Sequence, residues 1–427
     1  MSRPGARLRL ALLLGVGALL VALSFFFRSA PTELIEPEDI QPPGRWHFQA
    51  PRLGEGTDGE ELARVLSLPY MAGGRDAPAA TGVARWDPEH ADNGLNLYVS
   101  GHGPEVSLID MQGRLLHRWR YPFESAFPDK TPTIDTTYVR RAHLYPNGDL
   151  LAIFQGGGMI KLDHRSNLLW ASNLSYYNHL SLDPSGLILA IAKTARMVPE
   201  LRSDEPVLED SIVWLSPDGE LLRRVSLLET LTSSPFADLI HPLPQHADIF
   251  HTNTVLAVDD PEVNDESVLA PGLLIVSLRE IDMVAILDPR STTVKAAWRG
   301  PWRAQHQPVP LPTGKLLVFD NKGAEVGSRV VEFDPANEAL TWSFPGAGDE
   351  PLSSPEAGSC QRLPNGNTLI TESEMGRALE ITPDHQVVWE FVSPHRAGEK
   401  NELVATLFDV VRFPADSLPF VETKNSP

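Results

Sequence analysis

One phrase recurs six times between residues 108 and 389: a β-branched or aromatic strand, a turn built on Asp, Pro, Gly or Asn, and a second apolar run. The copies occupy 108–119, 160–170, 213–222, 285–298, 331–342 and 379–389, and five of them close on a tryptophan: Trp119, Trp170, Trp298, Trp342 and Trp389. Each copy predicts a β-hairpin, because strand-forming residues flank a tight turn. A lone hairpin cannot bury its faces, so the units must stack. Ahead of four copies stands a second hairpin signal, with turns at Pro146-Asn147-Gly148, Pro184-Ser185-Gly186, Pro312-Thr313-Gly314 and Pro364-Asn365-Gly366. Two hairpins make a four-stranded blade, and six units spaced by ~45–55 residues predict an all-β, six-bladed β-propeller over 81–420. A β-sandwich or an open solenoid is the rival arrangement, but six units close a ring more naturally. One unit is lengthened by an expected insertion at 199–210 and 233–248, and the segment 405–413 is expected to return and pair with 95–100.

The N-terminal end constrains location. Leu10 to Phe27 is an uncharged run of eighteen residues, preceded by Arg3, Arg7 and Arg9. At ~1.5 Å per residue it just spans a hydrocarbon core. The preceding arginines put the N-terminus in the cytoplasm and the propeller on the extracytoplasmic, periplasmic side. Phe27-Arg28-Ser29-Ala30 is a poor cleavage site, so residues 1–28 read as an uncleaved transmembrane signal anchor. Residues 29–80 read as a Pro-rich tether with a short helix near Thr57.

Composition excludes several classes. The single cysteine, Cys360, rules out an internal disulfide framework and argues against Cys-based metal sites. A net charge of −20 argues against nucleic acid as a partner, since phosphate binding needs clustered Lys and Arg.

Histidines recur where inner strands begin: His143, His179, His251 and His306. The tightest cluster is Asp248-Ile249-Phe250-His251-Thr252-Asn253, where a strand period of two would turn His251 and Asn253 to one face. Arg279 follows on what reads as the next strand. Its bland alternative is a surface pair with Glu280, beside a core-facing His251. Trp298 and Trp302 before His306 suggest an aromatic wall for a flat ring.

In that order, His251-x-Asn253, Ser277-x-Arg279 and Gln305-His306 leading to 311–314 and 317–321, then 358–371, resemble the arylsulfotransferase family over about 95–415. The resemblance implies a six-bladed propeller enzyme acting outside the cytoplasm. It would move a sulfuryl group from an aryl sulfate to a phenol by a ping-pong route, without a nucleotide donor or other cofactor. It implies His306 as the sulfated nucleophile, with His251, Asn253 and Arg279 holding the sulfuryl oxygens. His179 would be a further pocket histidine and acid–base group, with His143 as its alternative, and Ser359 or Cys360 would fill a late hydroxyl position. The family's dimerising N-terminal β-sandwich has no counterpart in the short segment before the propeller. A neutral imidazole suits the nucleophile, and cationic donors suit the charge of a loose transition state. The competing function is a non-catalytic envelope propeller that binds a protein or glycan, with the histidines as channel packing. A quinoprotein propeller is disfavoured, because there is no Cys pair and the tryptophans close hairpins.

Overall fold

Every copy of the repeated phrase folds as the third and fourth strands of a sheet counted from the channel, and the Pro/Gly-turn segments form inner hairpins. The computed structural model describes residues 75–203, 205–259, 267–347, 350–397 and 400–421. The expected anchor, and the expected tether up to residue 74, lie outside these residues. Among the described residues no helix is long and apolar enough to cross a membrane.

Six sheets follow one another, each antiparallel. Blade 2 runs Arg141–Leu144, Leu150–Phe154, Gly158–Leu162 and Leu168–Ser172 from the channel outwards. Blade 3 (Tyr176–Leu182 to Leu221–Ser226), blade 4 (Thr252–Ala257 to Thr293–Arg299) and blade 5 (His306–Pro310 to Ala339–Phe344) repeat that order. Blade 6 begins with Ser359–Arg362 and gains an outer fifth strand, Gly82–Trp86, from the start of the propeller. The short strand Arg75–Asp76, inside the stretch read as tether, pairs with Leu403–Val404. Blade 1 holds Gly94–Ser100, Glu105–Ile109 and Leu115–Arg120, and its innermost strand is the C-terminal Leu407–Pro414. That strand pairs Leu95 with Phe413 through Val99 with Asp409, so the chain closes its own ring as expected.

The apolar core lies between blades. One cluster joins Leu317 and Phe319 of blade 5 to Ile370 and Leu379 of blade 6, and another joins Trp389 and Phe391 of blade 6 to Tyr98 and Ile109 of blade 1. The closing tryptophans bridge these seams. Trp119, Trp170, Trp342 and Trp389 each donate the indole N–H to a carbonyl in the next blade's turn, at Gly148, Pro217, Pro383 and Met111, over 2.9–3.3 Å. A buried indole needs that acceptor, and the apolar ring adds about 1.5–3 kcal/mol of burial.

The inserted region is smaller than expected. Val207 to Asp210 begin the strand Val207–Leu215, paired along its length with Ile188–Arg196, because Val207 and Ile212 bury into the blade 3–4 core. The short helix Leu227–Thr232, capped by the Ser226 hydroxyl, follows the blade.

Candidate functional site

First strands of successive blades touch one another around the channel. Their starting ends carry the chemistry. In blades 3, 4 and 5 this end is irregular: the register slips between Tyr177 and Leu180, between Thr252 and Thr254, and between His306 and Val309. A non-glycine residue in the left-handed region accompanies each slip, namely Asn178 (φ 51°), His251 (φ 44°) and Gln307 (φ 44°). Such bulges re-aim side chains and are held only where neighbours enforce them. The period-two argument for His251 and Asn253 therefore does not apply. His251 precedes the strand, Asn253 sits in the bulge, and both are buried for other reasons.

His306 opens blade 5 and is 6% exposed. Its Nδ1 lies 2.8 Å from Asn321 Oδ1 and 3.2 Å from the Ala304 carbonyl. Asn321 cannot turn its amide around, since its Nδ2 donates to the carbonyls of Ser354 (2.6 Å) and Ala357 (2.7 Å). Two acceptors thus face Nδ1, the proton resides there, and Nε2 keeps its lone pair. Burial first, then the Arg279 charge, holds His306 well below the ordinary histidine pKa, so the ring is neutral.

His251 is also held through Nδ1. Its Nδ1 and its backbone N–H both donate to Asp248, at 2.6 and 3.2 Å, and its Nε2 faces the Asn178 amide at 3.4 Å. Asp248 is bound in turn by Lys193 (2.5 Å), which also approaches Asp210 (3.5 Å), and Asp210 accepts the Thr252 N–H (2.7 Å). All four side chains are buried. Burial would raise the Asp248 carboxyl, but Lys193 and His251 lower it and keep it charged. His251 is held neutral, chiefly by burial.

Arg279 lies just past the strand Leu274–Leu278, in a 3-10 turn, and is 5% exposed. It does pair with Glu280, as the bland alternative proposed, and also with Glu356, but the guanidinium is buried. Its backbone N–H donates to the His251 carbonyl at 3.4 Å, and its charge acts on both His251 and His306. Asn253 donates its amide to the Gln305 carbonyl (2.8 Å), gripping the residue before His306.

His179 lies deeper. Arg141 donates to its Nε2 (3.1 Å) and also pairs with Asp409 (2.7 Å), so the lone pair expected to serve phenol is already engaged. A cavity of about 850 Å³ opens here, lined by His143, His179, Ser359, the Arg141 and Asp409 pair and many aliphatic residues, and Gln307, next to His306, forms part of its wall. His251, Arg279 and His306 are not in that wall. His143 stacks edge-on against Tyr145, and burial lowers it to about 4. Ser359 donates to Thr371 (2.8 Å), whereas burial pushes the Cys360 thiol far up, leaving it protonated. Trp302 does not form the expected aromatic wall. It packs on Phe333 in the blade 4–5 core, with Trp298 beside it, because its N–H finds the Asp282 carbonyl there.

One cluster has metal-ligand composition: His102, Glu105 and His395 place potential ligand atoms within 4.8 Å of one another. The two imidazoles stack at 3.3 Å and 4°, so their in-plane lone pairs run parallel and cannot meet at one ion. Arg118 stands 3.5 Å from the same carboxylate. The arrangement suits a hydrogen-bonded seam between blades 6 and 1.

Asn321 and Asp248 were present in the motifs yet carried no assigned role. Asp248 was findable from its place three residues before a turn-forming histidine; nothing local marks Asn321, which meets His306 only across the first two strands of blade 5.

No curated protein matches this chain. Among solved structures it is similar to a protein of unknown function from Bacteroides caccae, at 12% identity and TM-score 0.50 over 75% of this chain and 99% of that one. It is also similar to a virginiamycin B lyase from Staphylococcus aureus, at 12% identity and TM-score 0.42 over 77% of this chain and 98% of that one. At such identity the first of these shares only the fold. The sequence profile described as arylsulfotransferase (ASST) matches residues 141–394, a stretch that runs from the first strand of blade 2 through the last strand of blade 6. With more than half its length matched, and with His251, Asn253, Arg279 and His306 all inside the match, the chain belongs to the arylsulfotransferase family.

Proposed function

We propose that this propeller transfers a sulfuryl group from an aryl sulfate to a phenol through a sulfated His306. The observation that carries the reading is the lock on His306: a neutral ring with Nδ1 tied to Asn321 and Nε2 left with its lone pair. In the first half-reaction Nε2 forms a bond to sulfur while the aryl S–O bond breaks and the aryl oxide leaves with the electron pair. In the second, the acceptor oxygen bonds to sulfur, the N–S bond breaks, and its electron pair returns to Nε2. The acceptor's proton passes to His251 Nε2, the lone-pair nitrogen because Asp248 holds Nδ1–H, and replaces there the long 3.4 Å contact from the Asn178 amide. Charge developing on the sulfuryl oxygens is met by the positive field of Arg279, whose terminal nitrogens are paired with Glu280 and Glu356. The apolar cavity beside Gln307 has the size and lining of an aryl-binding pocket. In this reading the propeller works outside the cytoplasm, tethered through the apolar run at 10–27.

Incubation with 4-nitrophenyl sulfate tests it. The full chain should gain one SO₃ by intact mass, release nitrophenolate, and pass the group to added phenol. His306→Ala should do none of these while keeping its fold. Normal turnover by His306→Ala would refute the nucleophile, and an inert wild type with a specific protein or glycan ligand would favour a binding propeller.

A further inference from the structure

Arg140 stands immediately before the first strand of blade 2, one residue ahead of the segment matched to the family. It is 6% exposed, yet among the described residues its guanidinium makes no hydrogen bond or ion pair, and its Nε is buried without a partner. The guanidinium lies over the Phe408 ring, 4.6 Å from guanidinium carbon to centroid. Its neighbour Arg141 is fully engaged, with Asp409 at 2.7 Å and His179 at 3.1 Å. The carboxylates whose charge reaches Arg140 are both engaged elsewhere: Asp409 with Arg141, and Asp135 with the Tyr138 hydroxyl at 2.8 Å. A buried cation left in this state is costly unless something anionic completes it.

Its position says where that anion sits. Blade 2 and blade 5 are three places apart in a ring of six, and so face each other across the channel. Arg140 directly precedes the innermost strand of blade 2 and lies over Phe408 of the innermost strand of blade 1, which sets it beside the channel on the side away from blade 5, and its charge reaches both His306 and His179. Arg279, by contrast, already has Glu280 and Glu356 at its two terminal nitrogens. A guanidinium offers paired N–H groups matched to two oxygens of a tetrahedral anion.

We propose that Arg140 is the docking cation of the channel, holding the sulfuryl oxygens of an aryl sulfate on the axis opposite His306. This rests on the sulfuryl-transfer reading for the identity of the anion, and inorganic sulfate is its simplest probe. Arg140→Met removes the charge at similar volume, and Arg140→Lys keeps it without the paired geometry.

Sulfate binding to the full chain, followed by calorimetry, should weaken about ten- to hundredfold in Arg140→Met, the usual loss for a hydrogen bond to a charged group. Arg140→Lys should recover part of it. The KM for 4-nitrophenyl sulfate should rise in step. Because Arg140→Met could misfold, the wild type supplies an independent measure: sulfate should protect Arg140 from phenylglyoxal, read by peptide mass. Equal sulfate affinity in wild type and Arg140→Met, or equal modification with and without sulfate, overturns the proposal. Sulfate held through Arg140 with no sulfated His306 formed would uphold the docking cation and refute the transfer reading. Wild-type rates of His306 sulfation in a folded Arg140→Met would do the reverse.

Discussion

Replacing Asn321 with alanine separates the orientation of the nucleophile from its presence. The carboxamide makes three short contacts: it accepts from His306 Nδ1 and donates to Ser354 and Ala357. Removing it leaves His306 Nδ1 with the Ala304 carbonyl alone, at 3.2 Å instead of 2.8 Å. The net worth of the lost bond is about 1 kcal/mol, and rather more in a buried site. The Nε2–H tautomer, which has no lone pair at the reacting atom, then competes. A loss of about 1.4–2.8 kcal/mol of tautomer and orientation preference corresponds to about 10- to 100-fold in rate. That is far short of the about 10⁴-fold seen when a catalytic histidine in a Ser-His-Asp triad takes the wrong tautomer, because Ala304 remains as an acceptor. The fold is affected separately. Two buried carbonyls lose their donor at about 1–3 kcal/mol each, so the variant should be assayed well below its melting point. Rapid mixing with 4-nitrophenyl sulfate reads the burst of nitrophenolate, and quenched samples read sulfated protein by mass. A burst at the wild-type rate in folded Asn321→Ala would refute the lock. Complete loss, equal to His306→Ala, would show Asn321 doing more than orienting.

Two further predictions follow from other parts of the molecule. Burial and the Arg279 charge depress His306, so the neutral, nucleophilic form persists as pH falls through 6.5; the acid limb of kcat/KM for His306 sulfation should lie below 6.5, and a midpoint at 6.5 would contradict the buried geometry. At the ring closure, Arg412 of the C-terminal strand forms a buried pair with Glu380 of blade 6 and bonds Asn96 of blade 1 at 2.9 Å. Glu380→Gln strands the Arg412 charge and should cost about 3–5 kcal/mol, lowering the melting temperature by about 5–10 °C; a shift under 2 °C would mean that the pair is not the latch.

The repeated phrase made the ring legible because each hairpin leans on the next: Trp119 of blade 1 donates to the Gly148 carbonyl of blade 2. The same logic placed His306 and His179 on inner strands. It did not place Arg279 correctly, since a strand ending at Leu278 and a turn beginning at Arg279 look alike in composition. Nor could it separate His179 from His306 by depth, because the repeat aligns blades but not the bulges within them. Asn321 and Arg140 were illegible for a different reason. Their significance lies in partners across strands or across the channel, and an Arg without a carboxylate is visible only once every neighbour is in place.

The bulged strand starts connect the repeat to the chemistry. Six equivalent blades offer six equivalent strand starts, yet His251, Asn178 and Gln307 leave regular geometry in three consecutive blades. None of the three is glycine, so each left-handed residue costs about 1–3 kcal/mol, and together they approach a sizeable share of a domain's net stability. Local hydrogen bonds hold them. Asp248 takes both the backbone N–H and the ring N–H of His251, Thr254 Oγ1 accepts the Gln307 N–H at 3.1 Å, and the Asn178 amide meets His251 Nε2. Glycine at any of the three would relieve the backbone, but at Asn178 and His251 it would also delete the side chain that the bend presents. The strain and the side chains are therefore retained together. The buried relay through Asp248, Lys193 and Asp210 serves the backbone of blade 4 as much as the imidazole it orients.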